Sequence, residues 1–413
     1  MFARRTEWPL EPNALTREVE NRRERGLPLL DLTESNPTRC QFVYDSAAIL
    51  QALAKPAALL YQPEPRGPTV ARHAVTGYYA ERGAAIHPEQ IFLTASTSEA
   101  YSYLFRLLAD PGDAVLVPRP SYPLFDFLAG LNDLEIIGYP LVYNSGPVSG
   151  WRIDLDALGS ILRGSSSHLP RALIVVQPNN PTGSFVHQVE LETLAELCHH
   201  YQLALIADEV FADYALEPAG PPDRGQWARA TSHAGLDRVL TFTLSGLSKI
   251  SALPQMKLAW IVVSGPPDDR ARALGRLEII ADTYLSVSTP VAAALPELLE
   301  TRRAIQPQIL SRLRQNLTAL DGQLGSAKRK VRPRTEGGWY AVLELLNAPE
   351  GSARNDDDWA LELVREDGVL VYPGHFYEFS SENHLVLSLL PPPDVFNEGV
   401  RRMAARLNGV SGV

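Results

Sequence analysis

The stretch TLSGLSKISALPQMKLAW (241–258) carries two of only five lysines, Lys249 and Lys257, in a chain that writes almost all its other positive charge as arginine. A primary amine can lose its proton and attack a carbonyl, which a guanidinium cannot do. A solvated loop is the plainer reading of both lysines. Other short apolar runs are followed by equally suggestive groups. IFLT (91–94) leads into ASTSEA, with Ala95, Ser96 and Thr97 opening a helix pattern. Free N–H groups and hydroxyls at such a start can cradle a phosphate, or simply cap the helix. AVLV (114–117) is followed by PRPSYP with Tyr122, ALIVV (172–176) by QPNNPTG with Asn180, and LALIA (203–207) by Asp208. VLTFTL (239–244) precedes SGLSK, and LAWIVV (258–263) is a sixth run. A carboxylate at the end of a buried strand is costly without a cationic partner.

The elements that must position these groups are legible in the same runs. Short and wholly apolar, they suit strands covered on both faces, as in a parallel sheet with crossover helices. Between them, Ala100, Tyr103, Leu104, Leu107 and Leu108 recur with helical spacing before a Pro-Gly stop, and LTREVENRRERG (15–26) reads as a charged surface helix starting near Asn13. In open parallel sheets ligands bind beyond the carboxyl ends of the strands, so hydroxyls, an amide, a carboxylate, an aromatic ring and an amine converge on one crevice. The expected architecture is α/β: a large domain of mostly parallel sheet flanked by helices at 46–290, and a smaller α+β domain from 1–45 and 291–413. In the latter, WYAVLELL and HLVLSLL are separated by a polar, Gly-containing stretch at 350–358.

Composition narrows the class. With 45% apolar and 21% charged residues, the 413-residue chain fits a globular protein of two domains. A formal net charge of −10 argues against a nucleic-acid partner. The one basic cluster, AKRKVRPR (327–334), reads as a solvated surface segment. No apolar run is long enough for a membrane span, and MFARRTEWPL lacks the apolar core of a signal peptide. Two cysteines, Cys40 and Cys198, fit a reducing cytoplasm. Cys198, His199 and His200 lack zinc-site spacing, so no metal is expected. A serine hydrolase is set aside, since G-x-S-x-G is absent.

The ordered set PNNPTG, ADEVFADY and SGLSK, with LTESNPT (32–38), YQPEPRG (61–67) and VLVYPGHFY (369–377), resembles the fold type I aminotransferases of class I/II, which use pyridoxal 5′-phosphate (PLP). The resemblance implies that Lys249 is the Schiff-base lysine and Asp208 the partner of the pyridine nitrogen. It implies that Asn180 donates to the ring's phenolic oxygen and that Tyr122 stacks on the ring. Ala95, Ser96, Thr97 and Lys257 match the phosphate site. Tyr61 matches a tyrosine that reaches the phosphate of a neighbouring subunit, which implies a homodimer with shared active sites. Asn36, Trp339, Arg66 and Arg39 are candidates for the substrate side, with aromatic rings and His375 from PGHFY beside them.

Three positions depart from the resembled pattern. Lys257 replaces an arginine and so gives up a bidentate fork. Phe211 replaces a tyrosine that would donate to the ring oxygen, which implies that the lysine-bound chromophore titrates higher. Val386, in ENHLVLSLL, stands where an arginine would grip the substrate carboxylate. The implied activity is transfer of an amino group from an amino acid or amine to an oxo acid. The loss at 386 keeps open a PLP lyase, a decarboxylase or a carbon–carbon bond-forming synthase on the same scaffold. A non-catalytic PLP-binding sensor is the third reading.

Overall fold

The computed structural model describes residues 1–145, 149–164, 170–217, 228–324, 330–346 and 354–408. The strands are β1 Leu30–Asp31, β2 Ile91–Thr94, β3 Ala114–Arg119, β4 Glu135–Asn144, β5 Gly150–Ile153, β6 Pro170–Val176, β7 Ala204–Asp208, β8 Thr241–Gly246, β9 Ala259–Ser264, β10 Lys330–Val331, β11 Tyr340–Leu345, β12 Val369–Leu370, β13 Tyr372–Pro373 and β14 His384–Ser388. Eight of them form one mixed sheet in the order β2-β9-β8-β7-β6-β3-β4-β5. Its centre, β4-β3-β6-β7-β8, is parallel throughout; β9 and β5 run antiparallel to their neighbours. All six apolar runs of the sequence are strands of this sheet.

Helices cover both faces, which explains why the runs are apolar without alternation. On one face Phe92, Val117, Ile206 and Phe242 pack with Ala100, Tyr103 and Leu104 of the Thr97–Leu108 helix and Leu277 of the Pro267–Tyr284 helix. On the other, Leu116, Leu173 and Leu205 meet Leu158, Leu194 and Cys198 from the Leu155–Gly164 and Gln188–Tyr201 helices. Strand β4 alternates in exposure and pairs with the edge strand β5.

The smaller unit is built on the sheet β10-β11-β14-β13. Leu15, Val19 and Leu32 from the N-terminal segment share its core with Val342, Val386 and Phe396, and β1 pairs in parallel with β12. The N-terminal helix spans Ala14–Glu24, with Asn13 accepting from the Thr16 N–H. The expected boundary at 290/291 cuts through the helix Thr289–Glu300. Its Ala292, Leu295 and Leu298 pack with Val75 and Trp260, so the large core continues to about residue 300.

The basic run is not a solvated segment where it is described. Arg332 pairs with Asp321 and Arg334 with Glu217, while burial holds the Lys330 ammonium down to about 8. Its residues 327–329, and residues 350–353 of the polar stretch, lie outside the described residues. Among the described residues no helix is long and apolar enough to cross a membrane.

Candidate active site

Strands β3, β6, β7 and β8 are parallel neighbours, so the residues following them emerge at one edge of the sheet. Asp208 is the last residue of β7 and pairs with Leu244 of β8, three positions ahead of the turn that carries Lys249. Gly246 lets that turn descend: a Cβ there would lie 2.8 Å from Ala259 Cα. Hydrogen bonds from outside the sheet then pin the backbone after it. Tyr214 Oη donates to Lys249 O (2.6 Å), Gln306 Nε2 to Ile250 O (2.9 Å) and Tyr44 Oη to Ala252 O (3.0 Å).

Lys249 and Asp208 act on one another electrostatically. Burial pulls the Lys249 ammonium down to about 8 against the opposing pull of Asp208, and burial pushes the Asp208 carboxyl up to about 6. Two donors hold that carboxylate: the Val210 N–H (3.1 Å) and the Tyr101 hydroxyl (3.1 Å). Tyr101 escapes the sequence pattern because it lies off the apolar stripe that defines its helix. The amine lies 5.3 Å from the Phe211 ring centroid and 4.7 Å from that of Trp339. Phe211 contacts Trp339 edge-on.

The asparagine pair separates into two roles. Asn179 builds the turn, its Oδ1 accepting from the Thr182 hydroxyl (2.9 Å) and its backbone carbonyl from the Gly183 N–H (2.8 Å). Asn180 is buried with Oδ1 unpartnered. The turn is braced by the smaller unit, because Gly337 N donates to Gly183 O (2.9 Å) and a Cβ on Gly183 would meet Gly337 O at 2.4 Å. Gly183 also has φ +72°, where glycine is favoured.

The donor set fits PLP. Asn180 is buried with its amide oxygen as an unpartnered acceptor, and the Ser121 hydroxyl, next to Tyr122, is buried without a partner. Ser96 caps the Thr97–Leu108 helix by accepting from the Glu99 N–H (3.1 Å), which leaves its own proton to donate. Thr97 and Ser98 present first-turn N–H groups that the helix cannot satisfy. Lys257 is exposed and held at φ +50°, without an ion pair among the described residues. Tyr122 and Tyr61 are also exposed.

On the substrate side the candidates divide. Trp339 is wholly buried and reaches Lys249. Val386 is buried at the middle of β14, opposite Val342 and Tyr372. Asn36 spends its Oδ1 capping the short Pro37–Arg39 turn. Arg39 is exposed, 3.9 Å from Glu34. Arg66 does not offer a free guanidinium: Glu278 (2.6 Å) and Glu89 (3.1 Å) hold it. His375 belongs to another cluster, with its ring 3.4 Å from Asp357 and its N–H on Asp356. Three phenols absent from the expected set, Tyr340, Tyr372 and Tyr377, act electrostatically on one another and on Tyr122.

A half-buried amine and a buried carboxylate at neighbouring strand ends of a mixed sheet, with a second unit closing the crevice, define the architecture of the fold type I aminotransferases. The profile of the family "Aminotransferase class I and II" matches residues 29–396, and the chain belongs to that family. It is 26% identical over 322 residues to nicotianamine aminotransferase A of Hordeum vulgare, covering 76% of this chain and 66% of that one. For nicotianamine aminotransferase B of the same species the identity is 28%, covering 73% of this chain and 53% of that one. The chain thus spans between about half and two thirds of the length of these relatives. The glutamate-pyruvate aminotransferase AlaA of Haemophilus influenzae is 23% identical, with 93% and 92% coverage. Among solved structures, an alanine aminotransferase from Pyrococcus furiosus superposes with a TM-score of 0.83 at 21% identity, covering 99% of this chain and 100% of that one. That likeness concerns the fold.

Proposed function

We propose that the protein is a PLP-dependent aminotransferase that moves an amino group from an amino acid or amine to an oxo acid. The observation carrying this reading is the pair of a half-buried amine, Lys249, and a buried carboxylate, Asp208, brought together at the ends of adjacent strands. When bound, the coenzyme supplies the electron sink that lets an α-proton leave. Lys249 supplies the amine that holds the coenzyme's carbonyl and, once displaced by the donor, carries the proton; a value near 8 makes it a usable base. Asp208, ionised above about pH 6, keeps a ring nitrogen placed against it protonated. Asn180 donates to the ring oxygen and Tyr122 covers a ring face. Ala95, Ser96, Thr97 and Lys257 hold the phosphate.

We read the assembly as a homodimer with shared sites, Tyr61 reaching across. Leu59, Leu60, Tyr61 and Ile279 are each more than half exposed, an apolar display that a partner copy would cover. The large unit holds the coenzyme, and the N- and C-terminal segments close over the substrate. Two buried, unpaired cysteines support a cytoplasmic setting.

The test is to mix the PLP-loaded protein with a panel of amino acids and amines while withholding any oxo acid. Stoichiometric conversion of the chromophore to the pyridoxamine form, reversed by adding an oxo acid, is expected. Multiple turnovers that release carbon dioxide or ammonia would overturn the reading in favour of a decarboxylase or lyase.

A further inference from the structure

The wall of the crevice facing the substrate is built by β11, β13 and β14 together with the segment 31–36. In antiparallel pairs, directly opposed residues share a face, and so do residues two apart. Val386 is opposed by Val342 and Tyr372, and Ser388 by Tyr340, so Val386, Tyr372, Tyr340 and Ser388 lie on one face. This face looks toward the amine: the Tyr340 ring is 6.4 Å from that of Phe211, itself 5.3 Å from Lys249 Nζ. The segment 31–36 runs over it, with Ser388 N donating to Leu32 O (2.7 Å). Thr33 acts electrostatically on the Tyr372 phenol and Ser35 on that of Tyr340. Glu34 sits between these two residues.

The chemistry of this wall is phenolic and acidic. Burial and the Glu34 carboxylate push both phenols upward, so Tyr340 and Tyr372 stay neutral hydrogen-bonding groups. Among the described residues, Arg312 and Arg119 are engaged elsewhere, and Arg39 is exposed at the edge of an ion-pair distance from Glu34. Arg312 donates to Cys40 O (3.2 Å) and Leu390 O (3.1 Å), and Arg119 pairs with Glu378 (2.5 Å) and Asp126 (3.0 Å). A carboxylate placed against this wall would therefore lose its hydration, meet Glu34, and find among the described residues no buried guanidinium free to grip it.

We propose that the donor carries a neutral hydrogen-bonding or cationic group, such as an amide or a second amine, where it faces Val386, Tyr340, Tyr372 and Glu34. The assignment rests on the amino-transfer reading and names the substrate class of that same site. An oxo acid entering the crevice puts its carboxylate against the same wall, held by neutral donors alone, and so binds loosely.

The test compares matched compounds on the PLP-loaded protein: alanine, alaninamide and 1,2-diaminopropane, then phenylalanine and phenylalaninamide. Dissociation constants come from perturbation of the chromophore spectrum, and carbonyl products from mass spectrometry. The amide or diamine is expected to bind at least about tenfold more tightly than the acid. Val386→Arg should reverse that order, and Glu34→Gln should weaken the diamine selectively. Should Val386→Arg fail to fold, Tyr372→Phe removes one phenol and should reduce amide affinity several-fold; an unchanged amide affinity would overturn the assignment. Acids that bind as tightly as their amides would overturn this assignment alone. Chromophore changes with none of the compounds would overturn the amino-transfer reading, and the assignment with it.

Discussion

The buried Asp208 carboxylate predicts that the coenzyme site destabilises the protein when the coenzyme is removed. Burial raises the Asp208 carboxyl from 3.8 to about 6. A carboxyl whose folded value is raised is favoured in its protonated form, so its contribution is fully present below about pH 4 and lost as pH rises through about 6. At roughly 1.4 kcal/mol for each tenfold change in proton affinity, that rise means roughly 3 kcal/mol lost at pH 8. Asp208→Asn removes the ionisation but keeps an oxygen to accept from the Val210 N–H. In urea unfolding of coenzyme-free protein, the variant should be more stable than the parent by about 2–3 kcal/mol at pH 8, shrinking to under about 1 kcal/mol at pH 4. The same variant should lose coenzyme affinity. A variant that is less stable than the parent at pH 8, or whose advantage is the same at both pH values, would refute the reasoning.

Two further outcomes follow from the same geometry. Tyr101→Phe deletes a hydrogen bond that lowers the Asp208 value, so the carboxyl rises further above about 6. The acid limb of coenzyme affinity against pH should move up by as much as about one pH unit, and an unmoved limb would show that bond to be idle. Gly183→Ala drives a Cβ against Gly337 O at a positive φ and should cost about 2–4 kcal/mol in urea unfolding, with weakened coenzyme retention. A midpoint equal to the parent's would contradict the bracing of the Asn180 turn.

Much of the large unit was legible because its strands are buried on both faces and read as unbroken apolar runs. Strands β4 and β5 were not, since β4 is partly exposed along its length and β5 is a four-residue edge strand, so neither leaves such a run. Lys249, Asp208 and Asn180 stood out because each lies at or within a few residues of the carboxyl end of a strand, and local order alone brings them to one edge. Tyr101 required knowing which way its helix rolls over the sheet. The wall of Tyr340, Tyr372 and Glu34 assembles from segments more than 300 residues apart, which no local pattern reveals. Arg66 looked available because its partner Glu278 lies 212 residues away.

Borohydride reduction of the PLP-loaded protein, followed by peptide mass mapping, should find the pyridoxyl group on Lys249 and nowhere else, with Lys249→Ala remaining unlabelled. A label on Lys257 or Lys55 instead, or a colourless protein that does not take up the coenzyme, would contradict the account.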